Sequence, residues 1–203
     1  MKKIKDKLIT IYPQLIFLIV TFCIFMPASL FLGNLDEFAV GFTALIPLLM
    51  AASLITAAVV ILIGLIVPKK ICNIYAAVIF GGALAAYVQG NFLNPDFGVL
   101  NGRQIQWSQF RVNAIISTVV WIVLIVVPAV VVCFKKDIMT KIMKWGSLFL
   151  SSIQIVTLVV LIVASKRTVD YSYVVTKNDE FALSSQGNVV VFIVDTLDND
   201  DAQ

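Results

Sequence analysis

Residues 8–35 read LITIYPQLIFLIVTFCIFMPASLFLGNL, twenty-eight in a row without a charge. About 20 apolar residues are enough to cross the hydrocarbon core of a bilayer, so this stretch predicts a membrane span. Four more uncharged runs follow: Phe38–Pro68, Ile71–Pro95, Val112–Phe134 and Gly146–Ser165, none shorter than 20 residues. Together they explain a composition of 60% hydrophobic and only 13% charged residues over 203 positions, about half the ionisable content of a soluble domain. Disorder, nucleic-acid binding and an ordinary soluble enzyme are disfavoured on that balance. The expected fold class is an all-α polytopic membrane protein. Its five transmembrane helices are expected at about 10–32, 43–67, 73–92, 113–134 and 146–165, forming a domain over residues 1–165.

The lysines set the expected orientation. Lys2, Lys3, Lys5 and Lys7 precede the first run, Lys69 and Lys70 separate the second from the third, and Lys135, Lys136, Lys141 and Lys144 lie between the fourth and fifth. Basic excess marks the cytoplasmic side, which puts the N-terminus inside and, after five crossings, the C-terminal tail outside. The first run is far longer than the apolar core of a signal peptide and lacks a small-residue cleavage site, so it reads as an uncleaved anchor. Cys23, Cys72 and Cys133 fall in spans or on the inner side, where they read as small buried apolar residues. No outer disulfide is expected. The chain has no histidine, which removes the commonest transition-metal ligand and general base.

No charge interrupts any span, which argues against a proton-coupled carrier. Gln154, beside Ser151 and Ser152 in the fifth span, reads as an interhelical hydrogen-bonding group. Gly81, Gly82, Ala83, Ala85 and Ala86 make a small-residue face for close helix packing. Pro13, Pro27, Pro47 and Pro128 are expected to kink their spans. Lys135–Trp145, with Ile138, Met139, Ile142 and Met143 among lysines, suits a short helix lying on the inner membrane surface.

The outer loop Tyr87–Asn113 reads YVQGNFLNPDFGVLNGRQIQWSQFRVN. Its aromatic residues can anchor at headgroup level, and Asn94-Pro95 and Asn101-Gly102 supply turns. Two readings stand: a plain loop with an aromatic belt, or a structured cap docking against an outer domain or a lipid headgroup. In the second, Arg103, Trp107 and Arg111 are the contact residues, the arginines being suited to phosphate.

After Ser165 the composition changes. Residues 166–187 read as an exported linker. Asn188-Val-Val-Val-Phe-Ile-Val-Asp195 then reads as a buried β-strand, as in a parallel sheet. A parallel strand needs neighbours joined by crossovers of a dozen or more residues. Residues 188–203 are therefore expected to be the first strand and turn of a truncated exported α/β domain. Ligands bind beyond the carboxyl ends of such strands, where Asp195 stands. Asp198, Asp200 and Asp201 read as a solvated acidic turn.

The segment Asn188–Asp198 resembles the opening strand of the sulfatase-like catalytic domain of the alkaline phosphatase superfamily. The likeness is to bacterial membrane-anchored phosphoglycerol and phosphoethanolamine transferases, including lipoteichoic acid synthase-like proteins. Five spans, an inner N-terminus and the segment YVQGNF…NGRQIQWS are similar to such proteins as well. The resemblance implies the membrane-anchoring part of an exported phospho- or sulfo-group transferase or hydrolase in the bacterial plasma membrane, with outer-leaflet phospholipids among its contacts. It implies that Asp195 is a metal-ligand carboxylate, for manganese, zinc, magnesium or calcium, once a full catalytic domain is present. Asp195 departs from the Glu usual in lipoteichoic acid synthases, which leaves branch and metal open. The nucleophile and the remaining Asp and His ligands of that family lie beyond these residues. The 203-residue chain alone is therefore expected to bind no cofactor and to be catalytically incompetent. The alternatives are a non-catalytic scaffold, polymer-export accessory or facilitator, and a two-piece enzyme whose sheet a separate chain completes.

Overall fold

The computed structural model describes residues 2–35, 38, 40–95 and 107–165, and among these the chain is helical with no strand. Five helices are long and apolar enough to cross a membrane: Ile4–Gly33, Phe42–Ile66, Cys72–Leu93, Trp107–Phe134 and Lys136–Ala164. This is the architecture of a multi-pass membrane protein. Helices suit that solvent because every backbone N–H and C=O is satisfied within the segment.

The first span is composite. Helix α1 (Lys2–Leu18) runs through a π-helical stretch, Ile19–Phe25, into α2 (Met26–Gly33). Pro27 explains the change of pitch. It has no N–H to give, and in α geometry its ring would collide with the carbonyl four residues back, that of Cys23. Widened turns before it relieve the clash, and the N–H of Met26 donates to the Thr21 carbonyl, five residues back. Pro47 stands in the first turn of α3 (Ile46–Ile66), where no hydrogen bond is lost, so the kink expected there has no cause. Pro128 lies inside α5 (Arg111–Phe134) and leaves the Leu124 carbonyl without its helical donor.

That carbonyl meets α4 (Cys72–Val88) at Gly81. The place a Cβ would take on Gly81 is filled by the Leu124 carbonyl oxygen and by the Ile125 Cα at 2.7 Å. Only a hydrogen fits. The small-residue face therefore works as a packing surface, with Gly81, Ala83, Ala85 and Ala86 all buried.

The first and third spans form the centre, 50% and 44% buried along their most apolar stretches, against 11% for the second and fourth and 17% for the fifth. One core cluster joins Phe17, Ala77, Phe80, Ala83, Val132, Met139 and Met143, and the Phe17 and Phe80 rings lie 5.9 Å apart. A second joins Ile11, Leu15, Val60, Cys72 and Ile79. Polar ties reinforce the packing. The Tyr75 hydroxyl donates to the Val60 carbonyl at 2.9 Å. Lys7 Nζ donates to the carbonyls of Leu65 (2.9 Å) and Val67 (2.6 Å), capping the C-terminal end of α3, where a cation also complements the helix dipole. Lys69 pairs with Asp6 at 3.1 Å in an exposed bridge.

Two further expectations need correction. Lys135–Trp145 does not form a separate surface helix: α6 is one continuous helix, Lys136–Ala164. Met139 and Met143 are buried in the first core cluster and continue, at intervals of four, into buried Ser147 and Ser151. That face holds the segment in the bundle. Of the three cysteines, Cys23 and Cys72 are buried, but Cys133 is exposed, on the outward face of α5. The expected strand 188–195, the linker 166–187, Asp195 and Arg103 lie outside the described residues.

Candidate functional site

The spans pack so that residues 5–7, 69–70 and 135–144 gather at one end of the bundle: Lys7 and Asp6 meet Leu65 and Lys69, and Lys136, Lys141 and Lys144 share a recess with Ile9, Thr10 and Asn73. At the opposite, lysine-poor end, an open cleft of 680 Å³ lies between the end of the first span and the end of the third. Its walls are apolar: Phe22, Phe25, Met26, Pro27 and Leu30 come from the first span, with Gly90 opposite. Its polar lining comes from Ser29, Asn34, Asn91 and Asn94.

Local geometry creates this cleft. Both walls carry a π-helical stretch, Ile19–Phe25 on one side and Gln89–Leu93 on the other. Such stretches re-aim side chains and recur at functional sites. The second is pinned at Gln89, whose Oε1 accepts from Trp121 Nε1 at 3.2 Å and whose Nε2 donates to Asn94 Oδ1 at 3.0 Å. Gly90 keeps the cleft open, since a Cβ there would lie 2.7 Å from the Met26 methyl.

The asparagines are held by their own helices. Asn34 Nδ2 donates to the Leu30 carbonyl at 2.8 Å, and Asn91 Nδ2 to the Tyr87 carbonyl at 2.7 Å. Each bond uses one amide hydrogen and leaves a second hydrogen and the carbonyl oxygen for a ligand. A neutral amide rim above apolar walls suits an amphiphile with hydroxyl or ammonium groups at its polar end.

Trp107 and Arg111 are at this same end of the bundle. Trp107 opens a 3₁₀ turn, Trp107–Phe110, with its side chain 66% exposed, and Arg111 begins α5, also exposed. Neither lines the cleft. Among the described residues no three of His, Cys, Asp or Glu gather to hold a metal.

Deeper in the bundle, Gln154 Nε2 donates to Thr21 Oγ1 at 3.0 Å, both side chains fully buried. This is the interhelical bond expected of Gln154. Sequence reasoning missed its partner, Thr21, and the role of Asn34; the signal for the cleft was the recurrence of asparagine where the first and third spans end.

Comparison with protein-family models, with curated proteins and with solved structures finds no match. The fold defines a class, a multi-pass helical membrane protein, here with an open, asparagine-rimmed cleft at one end.

Proposed function

We propose that this chain is the membrane-anchoring portion of an exported, metal-dependent phospho- or sulfo-group transferase or hydrolase acting on cell-envelope lipids. It sits in the bacterial plasma membrane with the N-terminus inside and the tail outside. The observation that carries the reading is the amide-rimmed cleft at the lysine-poor end. With lysines marking the cytoplasmic side, that cleft opens at the outer leaflet, on the side where the tail and its Asn188–Asp195 motif emerge. The cleft would present a phospholipid headgroup to a catalytic domain there, and Arg103, Trp107 and Arg111 would dock that domain. The resemblance of the tail motif to sulfatase-like enzymes supports the same reading.

A facilitator would need an open polar path through the bundle. The polar seam at Ser147, Ser151 and Gln154 is instead sealed from solvent, which favours an anchor over a conduit.

The test uses membranes containing the complete gene product, supplied with labelled phosphatidylglycerol and phosphatidylethanolamine. Metal-dependent release of a labelled headgroup product, lost in Asp195→Asn and reduced in Gly90→Leu, is expected. A gene product without a Thr, Ser or Cys nucleophile and without further Asp and His ligands would overturn the catalytic reading.

A further inference from the structure

At the lysine-bearing end a second cleft, of 330 Å³, opens between α1, the start of α4 and the first turns of α6. Lys136, Lys141 and Lys144 line it, with Asn73 and Thr140 nearby and Gln14, only 2% exposed, among its lining. Lys136, Thr140 and Lys144 recur at intervals of four, so one helix face aims them to the same side. Among the described residues no carboxylate lines the cleft. Of the two described carboxylates in these helices, Asp6 is engaged by Lys69 at 3.1 Å, and Asp137 lies outside the lining. Lys144 Nζ stands 5.4 Å from the Trp145 ring centre. Three lysine side chains and one amide thus line a single recess, with the Asp137 carboxylate on the same turn but outside its lining.

An apolar groove of 380 Å³ adjoins this cleft and shares Ile9, Pro13 and Lys144 with it. It continues past Tyr12 and Leu148 into the apolar part of α6. A cationic recess leading into an apolar groove has the two-part chemistry of an anionic phospholipid. Free phosphate would use the first part only.

We infer that α1, α4 and α6 form a binding site for one anionic phospholipid of the leaflet at the lysine-bearing end. Its phosphate sits among Lys136, Lys141, Lys144 and Asn73, and one acyl chain follows Tyr12 and Leu148. Basic recesses between membrane helices bind anionic headgroups in this way. The bound lipid holds the first turns of α6 against α1. The site is independent of the cleft at the other end and of any catalytic role.

The test is thermal unfolding and native mass spectrometry of the purified chain in neutral detergent. The probes are dioleoyl phosphatidylglycerol, dioleoyl phosphatidylcholine and inorganic phosphate. Phosphatidylglycerol is expected to raise the melting temperature and remain bound one to one, with the other two giving no comparable shift. The variant Lys136→Gln/Lys141→Gln/Lys144→Gln should bind it at least tenfold more weakly. An equal charge change outside the cleft, Lys5→Gln/Lys70→Gln/Lys135→Gln, should leave binding within twofold. The uncharged variants Asn73→Ala and Leu148→Trp should each weaken binding severalfold, the second by filling the groove. Equal losses from both lysine triples would overturn the site in favour of diffuse surface charge. An equal shift from inorganic phosphate, or from phosphatidylcholine, would overturn the two-part lipid site as well.

Discussion

Replacing Gly81 by alanine puts a methyl group where α5 already stands. The new Cβ would lie 2.7 Å from the Ile125 Cα and against the Leu124 carbonyl oxygen. Both obstacles are backbone, so no side-chain rotation relieves the clash. Ordinary contact begins at about 3.4 Å, so clearing the Ile125 Cα alone takes a local separation of roughly 0.7 Å between α4 and α5, and the nearer Leu124 oxygen demands more. Overpacking of this kind costs about 1–3 kcal/mol. It falls on a helix pair whose association in lipid rests on close packing rather than on the hydrophobic effect. Gly82 is the internal control, because a Cβ there meets nothing within 4 Å. Both substitutions gain the same helix propensity, up to about 1 kcal/mol, so their difference isolates the steric term. Unfolding in mixed dodecyl maltoside and sodium dodecyl sulfate micelles, followed by tryptophan fluorescence, should show Gly81→Ala less stable than Gly82→Ala by about 1–3 kcal/mol. Equal stability of the two variants would refute the α4–α5 contact.

The same assay tests the buried Thr21–Gln154 bond by its asymmetry. Thr21→Val strands the Gln154 Nε2 and should cost about 1–3 kcal/mol. Gln154→Leu also removes a carbonyl oxygen that has no partner and should cost under about 1 kcal/mol. The double variant should then recover most of the Thr21→Val loss, and additive losses would contradict the bond. Lys7→Met removes the cap on the carbonyls of Leu65 and Val67; a loss of about 1 kcal/mol is expected, and an unchanged midpoint would contradict the cap. Gly90→Leu fills the cleft at the lysine-poor end, so native mass spectrometry should show loss of the lipid retained there while the helical circular dichroism is unchanged. Full retention would argue that this cleft holds no lipid.

The five spans were readable because a helix in lipid satisfies its own backbone and need only be apolar. Each uncharged run from Leu8 to Ser165 supplies one helical span long enough to cross a membrane. The start of α6 was not readable, because lysines mark the edge of the hydrocarbon and not the end of a helix. Met139 and Met143 showed their place in the bundle only once they met Phe17, Phe80 and Val132. The π-helical stretches escaped as well: the cue in the sequence was Pro27, but a proline equally permits a kink, and packing decides between the outcomes. The cleft with its asparagines depends on which span ends are neighbours in space, information that no local pattern carries. Gln154 was legible as a hydrogen-bonding residue from its isolation in an apolar run, while its partner came from the crossing of the first and fifth spans. Arg103 and Asp195 rest on the sequence alone, and Trp107 and Arg111 have their position from the structure and their docking role from the sequence.

The central claim, an anchor for an exported catalytic domain, is tested most directly by the intact mass of the native protein isolated from its own membranes and detected through its N-terminal segment. The account predicts a mass larger than 22.3 kDa by that of a whole catalytic domain continuing the Val189–Asp195 strand. A mass of 22.3 kDa, with no second chain copurifying, would contradict it.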